Sequence, residues 1–223
     1  MFSNNFYEAY ALIVLTKKFK HYDNVFYKKE SPDWCSNDVG IEVARAVIEY
    51  EQKIFSFAEK NFGKKIEEIG EKKLKKYNAF YDFHEGELSA VALGGLVDTS
   101  SYTEPCKTIF KTKLAKLNNN YSVFKNNILF IFSDVFTKDE FINHFIEFAY
   151  ESQLEKKSKF SYIYVFTREA LFCLGLLCKQ SNKILLNDND LIQFKKLAKV
   201  YEKNFETLKE QKFSLEELEN LLE

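Results

Sequence analysis

Two acidic side chains, Asp33 and Glu42, occupy positions where a carboxylate needs a partner. Asp33 directly follows Pro32, and Glu42 lies inside the apolar run Val39 to Val43. An isolated carboxylate on a buried strand is costly unless it is paired or bound to a cation. Two converging carboxylates are typical ligands of Mg²⁺, which also takes waters and a substrate phosphate. The two acids are therefore candidate ligands of a magnesium or manganese ion.

The apolar run around Glu42 predicts a strand, and the alternation of its side chains separates the neighbours of this acid. Successive side chains of a strand point to opposite faces, so Ile41 and Val43 face one layer of the core. Glu42 and Ala44 face the opposite layer. By the same alternation, Arg45 points away from Glu42.

The spacing of the two acids resembles a known nuclease signature. Pro-Asp at residues 32 and 33, eight intervening residues and Glu-Val-Ala at residues 42 to 44 are similar to the PD-(D/E)xK motif of the restriction-endonuclease-like superfamily. Ala44 occupies the place of the catalytic lysine. The stretch Ile109 to Leu117, then Tyr121, then the apolar run Ile128 to Phe132 also looks like the second half of these families. The resemblance covers roughly residues 7–62 and 107–166.

This resemblance implies a metal-dependent endonuclease that hydrolyses nucleic acid, with DNA favoured over RNA, in a restriction, phage or mobile-element context. It implies Mg²⁺ or Mn²⁺ held by Asp33 and Glu42, with Glu8 of the first helix as a third acid. Glu8 has a second interpretation, as an acid that complements the helix macrodipole. Because Ala44 can neither orient a water nor offset phosphate charge, the alternative is a catalytically inactive relative that binds nucleic acid or a protein partner.

A lysine from another element can replace the missing one, since a point charge need only reach the site in space. Lys53, which we favour as the catalytic lysine, lies on the helix predicted directly after the acidic strand, on one face with Glu49 and Gln52. An exposed ion pair between Glu49 and Lys53 is the alternative interpretation. Lys111 and Lys113 of a later predicted helix are the other candidates for the catalytic cation.

Contact with nucleic acid must come from a local patch, because the net charge of the whole chain is −1. Residues 105–127 contain no acid. The candidate nucleic-acid-binding lysines of this segment are Lys107, Lys111, Lys113 and Lys116. A second basic cluster runs from Lys72 to Lys76. For both clusters a solvated helix face is the alternative.

Cysteine usage and hydropathy predict a cytoplasmic protein that does not enter a membrane. The four cysteines show no CxxC pair and no companion histidines at zinc spacing. The longest apolar stretches, Ala9 to Leu15 and Ala170 to Cys178, are too short to span a bilayer. The N-terminal apolar run is not preceded by a basic region typical of a signal segment.

Helical segments alternate with apolar strands, which predicts an α/β fold. Predicted helices span residues 7–19, 47–62, 105–117 with Pro105 at the first position, 138–157 and 188–208, the last capped by Asp188 to Asp190. Predicted strands include residues 24–29, 39–43, 127–132 and 160–166. Together with the resemblance, these elements imply a restriction-endonuclease-like core, with a mixed central sheet flanked by helices on both faces.

We expect a single domain over residues 1–223, with an insertion at about 64–104 and a C-terminal helical extension at about 188–223. In the insertion, His84 with Glu85 and Glu87 fits a metal cluster or a surface turn, and we favour the turn. The C-terminal segment begins with a capping box, Ser214 to Glu217. It can pack on its own core, which we favour, or on a second subunit of a homodimer.

Overall fold

The computed structural model describes residues 3–23, 25–46, 49–76, 79–93, 100–133, 139–167 and 169–222. The chain divides into two compact units. The first unit comprises Met1–Ala46 and Cys106–Glu223, and the second comprises Val47–Pro105. The range expected as an insertion, residues 64–104, lies inside the second unit, which begins earlier. The C-terminal segment belongs to the first unit.

The helices and strands follow one another in an order close to that predicted. In chain order the helices are α1 (Asn4–Lys18), α2 (Glu49–Asn61), α3 (Ile66–Ile69), α4 (Glu71–Leu74), α5 (Ser100–Asn119), α6 (Asp139–Gln153), α7 (Asp188–Lys203), α8 (Phe205–Leu208) and α9 (Leu215–Asn220). The strands are β1 (Tyr27–Lys28), β2 (Trp34–Cys35), β3 (Val39–Ala46), β4 (Ala79–His84), β5 (Glu87–Leu93), β6 (Asn126–Ser133), β7 (Phe160–Phe166), β8 (Ala170–Gly175) and β9 (Gln180–Leu185).

The first unit is built on a seven-stranded mixed sheet with the strand order β1-β2-β3-β6-β7-β8-β9. The central strands β3, β6 and β7 are parallel, whereas the outer strands pair antiparallel. Parallel strands buried on both faces read as continuous apolar runs. This is why the apolar runs predicted the bounds of β6 and β7 to within one residue at each end. The observed sheet confirms a mixed α/β architecture.

Helices cover both faces of this sheet. On one face α1 and α7 pack over a core that includes Ile41 and Val43 of β3. On the other face α5 and α6 pack over a core that includes Ala44 and Ala46. The predicted alternation of β3 is therefore confirmed. Because both layers are filled, the polar side chains that β3 carries must be satisfied by neighbours within the fold.

The C-terminal segment packs on the core of its own unit. Leu218 of α9 is buried in the same cluster as α1 and α7. The rings of Tyr201 and Phe213 lie 5.7 Å and 5.5 Å from that of Trp34, the residue that follows Asp33. The favoured interpretation of this segment is confirmed, and the C-terminal helices help to fix the turn that bears Asp33.

The second unit contains α2 to α4 and an antiparallel hairpin of β4 and β5. Leu88 of the hairpin is buried, and its backbone N–H and C=O pair with Lys64 and Gly63. His84 and Glu85 lie at the hairpin turn with side chains 83% and 87% exposed. The surface-turn interpretation of this segment is therefore confirmed.

Several predicted boundaries were wrong. Helix α5 begins at Ser100, so Pro105 lies within the helix instead of at its first position. A proline there removes one backbone hydrogen bond of the helix, so it does not by itself mark the start of the helix. Asn187, not the cluster that follows it, caps α7, through a reciprocal box with Asp190. The helix predicted over residues 188–208 is divided into α7 and α8 at Asn204. None of the helices in the described ranges is long and apolar enough to cross a membrane.

Candidate active site

The Pro-Asp turn places Asp33 against the acidic strand. Trp34 pairs with Ile41 across the antiparallel β2–β3 ladder. The backbone N–H of Val43 donates a hydrogen bond of 2.7 Å to Oδ2 of Asp33. Asp33 is 9% exposed, so its carboxyl group is held inside the fold next to the strand that carries Glu42.

Glu42 is a buried acid that binds a lysine and a tyrosine through the same oxygen. Its side chain is 5% exposed, and its Oε1 forms an ion pair with Nζ of Lys113. The hydroxyl of Tyr121 donates a 2.7 Å hydrogen bond to the same Oε1. Oε2 is buried and accepts no hydrogen bond from the residues that the structure describes. The partner that a carboxylate requires at this position is thus a lysine from another element.

Helix α5 delivers Lys113 because its apolar residues fix its rotation on the sheet. Phe110, Leu114 and Leu117 recur at helical spacing and are buried against β6 and β7. Lys113 lies beside this apolar stripe with 17% of its side chain exposed, so its stem is covered and its ammonium group reaches the sheet. Tyr121 follows the end of the same helix and packs against the same core.

A second lysine and acid lie on the other side of the Pro-Asp turn. Nζ of Lys28, on β1, is 2.8 Å from Oε2 of Glu8, on α1, and both side chains are mostly buried. The indole N–H of Trp34 donates to the backbone carbonyl of Glu8 at 2.9 Å. Lys28 also lies over the Trp34 ring, 5.8 Å from its centroid. Glu8 therefore belongs to the acidic cluster, and its charge is compensated by Lys28.

The surroundings of Asp33 favour its neutral form. Burial, and next the negative charges of Glu42 and Glu8, raise its pKa from 3.8 to about 8, while the Val43 hydrogen bond and the charge of Lys28 act in the opposite direction. Burial and the adjacent Glu42 also raise the pKa of Tyr121, so its hydroxyl keeps its proton. Without an added cation, Asp33 is protonated at neutral pH.

The other predicted site residues are the lysines of α2 and α5. Lys53 lies on α2 in the second unit with an exposed side chain, and its catalytic role stays a prediction. The ammonium groups of Lys107 and Lys111 lie 5.4 Å and 5.2 Å from the ring centroid of Phe148 on α6, and Lys116 is exposed. Of the four lysines proposed to bind nucleic acid, Lys113 is therefore the one that contacts the buried acid.

Two cluster members received no role from the sequence. Lys28 is directly opposite Trp34 in the β1–β2 pair, and Tyr121 stands just after the lysine-rich helix. For Lys28 the sequence offers a weak signal, a basic residue on a strand beside an acidic turn. For Tyr121 the only signal was its place in the pattern that resembles the nuclease families. Arg45, as predicted, points away from Glu42, and its guanidinium lies 4.2 Å from the Tyr7 ring.

The cluster fits a divalent cation, although its ligands are few. Over the described ranges, no three His, Cys, Asp or Glu side chains form a metal-binding group. Oε2 of Glu42 is nevertheless a buried acceptor without a hydrogen-bond donor. Lys28 and Lys113 compensate Glu8 and Glu42, so ionisation of Asp33 would leave one negative charge for a cation to neutralise. Glu42 and Asp33 are the residues that would hold a cation such as Mg²⁺.

Comparison with known proteins returns no family model, no curated protein and no solved structure that matches the chain. The function of the cluster must therefore be inferred from its own contacts, burial and charge. These are Asp33 in the turn before β2 and Glu42 on β3, the lysine paired with Glu42, and surroundings that raise the pKa of Asp33.

Proposed function

We propose that the protein is a metal-dependent nuclease of the restriction-endonuclease-like type in which α5 supplies the catalytic lysine. The observation that carries this proposal is the ion pair between Lys113 and Glu42. It brings a cation to the acidic strand although Ala44 occupies the expected lysine position. A lysine that reaches the same carboxylate from a helix can provide the same charge.

The order of elements supports the same proposal. An acidic first helix, a Pro-Asp turn, an acidic strand and a later helix–strand pair follow one another in the first unit, as in the resembled families. The acidic strand is parallel to β6, the strand that follows the lysine-bearing helix. A mixed sheet between two helical layers is the scaffold that the resemblance implies.

The proposed roles follow from the contacts. A Mg²⁺ or Mn²⁺ ion held by Glu42 and Asp33 would polarise the scissile phosphate and favour ionisation of the attacking water. Lys113 has three N–H donors, and the one used on Glu42 leaves others for a phosphate oxygen or the attacking water. Glu8 and Lys28 hold α1 to β1 next to Asp33.

A catalytically inactive binding protein is the second candidate function. Lys113 already neutralises Glu42, and Lys28 already compensates Glu8, so the buried acids have partners without a metal ion. A purely structural carboxylate on β3 would need such a lysine. The two candidates differ in whether a divalent cation binds and whether nucleic acid is cut.

A cleavage assay separates the two candidates. Supercoiled plasmid, single-stranded DNA and RNA are incubated with Mg²⁺ or Mn²⁺ and the wild type, Asp33→Asn or Glu42→Gln. Glu206→Gln, which changes an acid with an 80% exposed side chain, is the matched control. We expect metal-dependent cutting that both site substitutions abolish and the control retains. No cutting of any substrate, together with no calorimetric signal for Mn²⁺, would leave the binding protein.

We propose that DNA contacts the lysines of α5 other than Lys113, which pairs with Glu42. Exchange of Lys107, Lys111 and Lys116 to glutamine should weaken DNA binding and reduce its salt dependence, because each phosphate contact contributes about 0.9 to the slope of log K against log salt. Lys203→Gln, an exposed lysine of α7, is the control. An unchanged salt slope in the triple variant would rule out these lysines as the contact surface.

A further inference from the structure

The two oxygens of the Glu42 carboxylate have different surroundings. Both donors that reach the side chain, Nζ of Lys113 and the hydroxyl of Tyr121, end on Oε1. Oε2 is buried and has no donor among the described residues. A carboxylate normally offers lone pairs on both oxygens, and hydrogen bonds to an ionised group are short and directional. The structure therefore divides the carboxylate into a bonded oxygen and an open one.

Tyr121 is the better of the two donors for fixing this division. An ammonium group on a flexible four-carbon stem can move between two carboxylate oxygens. The hydroxyl of Tyr121 is carried by a ring that packs against the core beneath α5. Its position is therefore set by packing, and it can bond to Oε1 only while the carboxylate keeps its orientation.

We propose that Tyr121 is a positioning residue that commits Oε1 of Glu42 to the protein and leaves Oε2 for a divalent cation. This inference rests on the proposed function, because it assigns a role to Tyr121 within the same site. Without the tyrosine hydroxyl, Lys113 is the remaining donor, and its ammonium group can bridge both oxygens. The cation then competes with a lysine for the oxygen it needs.

The test measures Mn²⁺ affinity of the full chain by calorimetry. Tyr121→Phe keeps the packed ring and removes the hydroxyl, and Tyr162→Phe, which changes a residue 45% exposed on β7, is the control. Loss of a group that orients a metal ligand typically weakens metal binding by about 10- to 100-fold. We expect that loss in Tyr121→Phe only. Saturating Mn²⁺ should return the cleavage rate of Tyr121→Phe towards that of the wild type.

Lys113→Met is a second variant that carries the test if Tyr121→Phe folds poorly. It keeps the tyrosine hydrogen bond and removes a positive charge beside the cation, so Mn²⁺ affinity should stay the same or increase. Circular dichroism and a thermal melt of the metal-free proteins check folding.

The outcomes distinguish failure of the positioning role of Tyr121 from failure of the proposed nuclease function. Wild-type Mn²⁺ binding that Tyr121→Phe leaves unchanged overturns the positioning role and retains the proposed nuclease. The same is true if Lys113→Met weakens Mn²⁺ binding as much as Tyr121→Phe does. A wild-type protein that neither binds Mn²⁺ nor cuts nucleic acid overturns both proposals.

Discussion

Two lysine–carboxylate pairs lie near Asp33. They differ in whether the buried carboxylate oxygen has a partner. On the α5 side, Lys113 and Tyr121 both bind one oxygen of Glu42 and leave the other buried oxygen without a donor. On the α1 side, Oε2 of Glu8 is also buried without a hydrogen bond among the described residues, but Nζ of Lys28 lies 2.8 Å from it as an ion pair and also covers the Trp34 ring.

This difference separates two kinds of buried charge. A lysine that faces the buried oxygen of its acid and packs on a ring holds two elements together, which is the arrangement expected of a structural pair. Where a lysine and a tyrosine bind the same carboxylate oxygen, the second oxygen of the acid stays available for a further ligand such as a cation. We therefore assign the catalytic chemistry to Glu42 with its two donors, and a structural role to the pair of Glu8 and Lys28.

The largest expected effect is the loss of cleavage rate in the variant Lys113→Met. Removing a charge that stabilises the developing negative charge of a transition state typically costs about 10²- to 10³-fold in rate. Lys203→Met is the matched control, because Lys203 is an exposed lysine of α7 that is not among the proposed DNA-contact lysines. Initial rates on plasmid DNA at saturating Mn²⁺ make the measurement. Equal rates for the two variants would place the catalytic lysine elsewhere, with Lys53 as the next candidate.

The Glu8 side should respond in stability and hardly in rate. Lys28→Met leaves a buried carboxylate without its partner, which should lower the free energy of unfolding by about 3 kcal/mol. Cleavage at saturating metal, measured below the melting temperature, should change by less than about tenfold, a smaller loss than for an electrostatic stabiliser. Lys75→Met, in an exposed pair with Glu71, is the control for urea unfolding and should cost less than about 1 kcal/mol. A rate loss as large as that of Lys113→Met would show that both sides serve catalysis.

Gly40 tests how closely the Pro-Asp turn must approach β3. A Cβ at this position would lie 2.6 Å from Cδ2 of Phe124 and 2.8 Å from Cγ of Pro32. Gly40→Ala should therefore displace the turn and lower the free energy of unfolding by about 1 to 3 kcal/mol, as overpacking does. Asn37→Ala, in the exposed bend before the strand, should stay within about 0.5 kcal/mol. Equal urea midpoints for these variants would show that the turn adjusts freely.

The pH dependence of stability tests the environment of Asp33. Between pH 3.8 and about 8 the native state holds a proton on Asp33 that the unfolded chain releases. The free energy of unfolding should therefore fall as the pH rises through this window, by at most about 1.4 kcal/mol per pH unit. Asp33→Asn should flatten this slope, and Mn²⁺ should stabilise the wild type more at pH 8 than at pH 5. An identical slope in Asp33→Asn would mean that another group titrates.

The fold was predictable where a local pattern decides the structure. The apolar runs of β6 and β7 can only be buried strands, and the periodic residues of α1 and α6 predicted those helices. The start of α5 was missed because Pro105 is a strong helix-start signal, whereas the helix begins five residues earlier, at Ser100. The β4–β5 hairpin was not predicted, since most of its side chains alternate weakly and stay partly exposed.

The candidate site was only half predictable. Asp33 and Glu42 stand close in sequence, and the cost of a buried charge marks Glu42 without any tertiary information. The cationic partner of Glu42 depends on how α5 rotates on the sheet. Lys113 was therefore one of three candidates, and nearness in sequence to the acidic strand favoured Lys53 instead. The division of the Glu42 carboxylate depends on two separate donors, which no sequence spacing reveals.

The distance along the chain between Glu42 and Lys113 governs when the site is completed during protein synthesis. These two residues are 71 positions apart, and Tyr121 is 79 positions from Glu42. The second compact unit is encoded between the strand and the helix that bear them. A nascent chain therefore carries both acids long before it carries their lysine. Any fragment that ends before α5 lacks Lys113. The complete site can therefore form only after residue 121 has been synthesised and α5 has packed on the sheet.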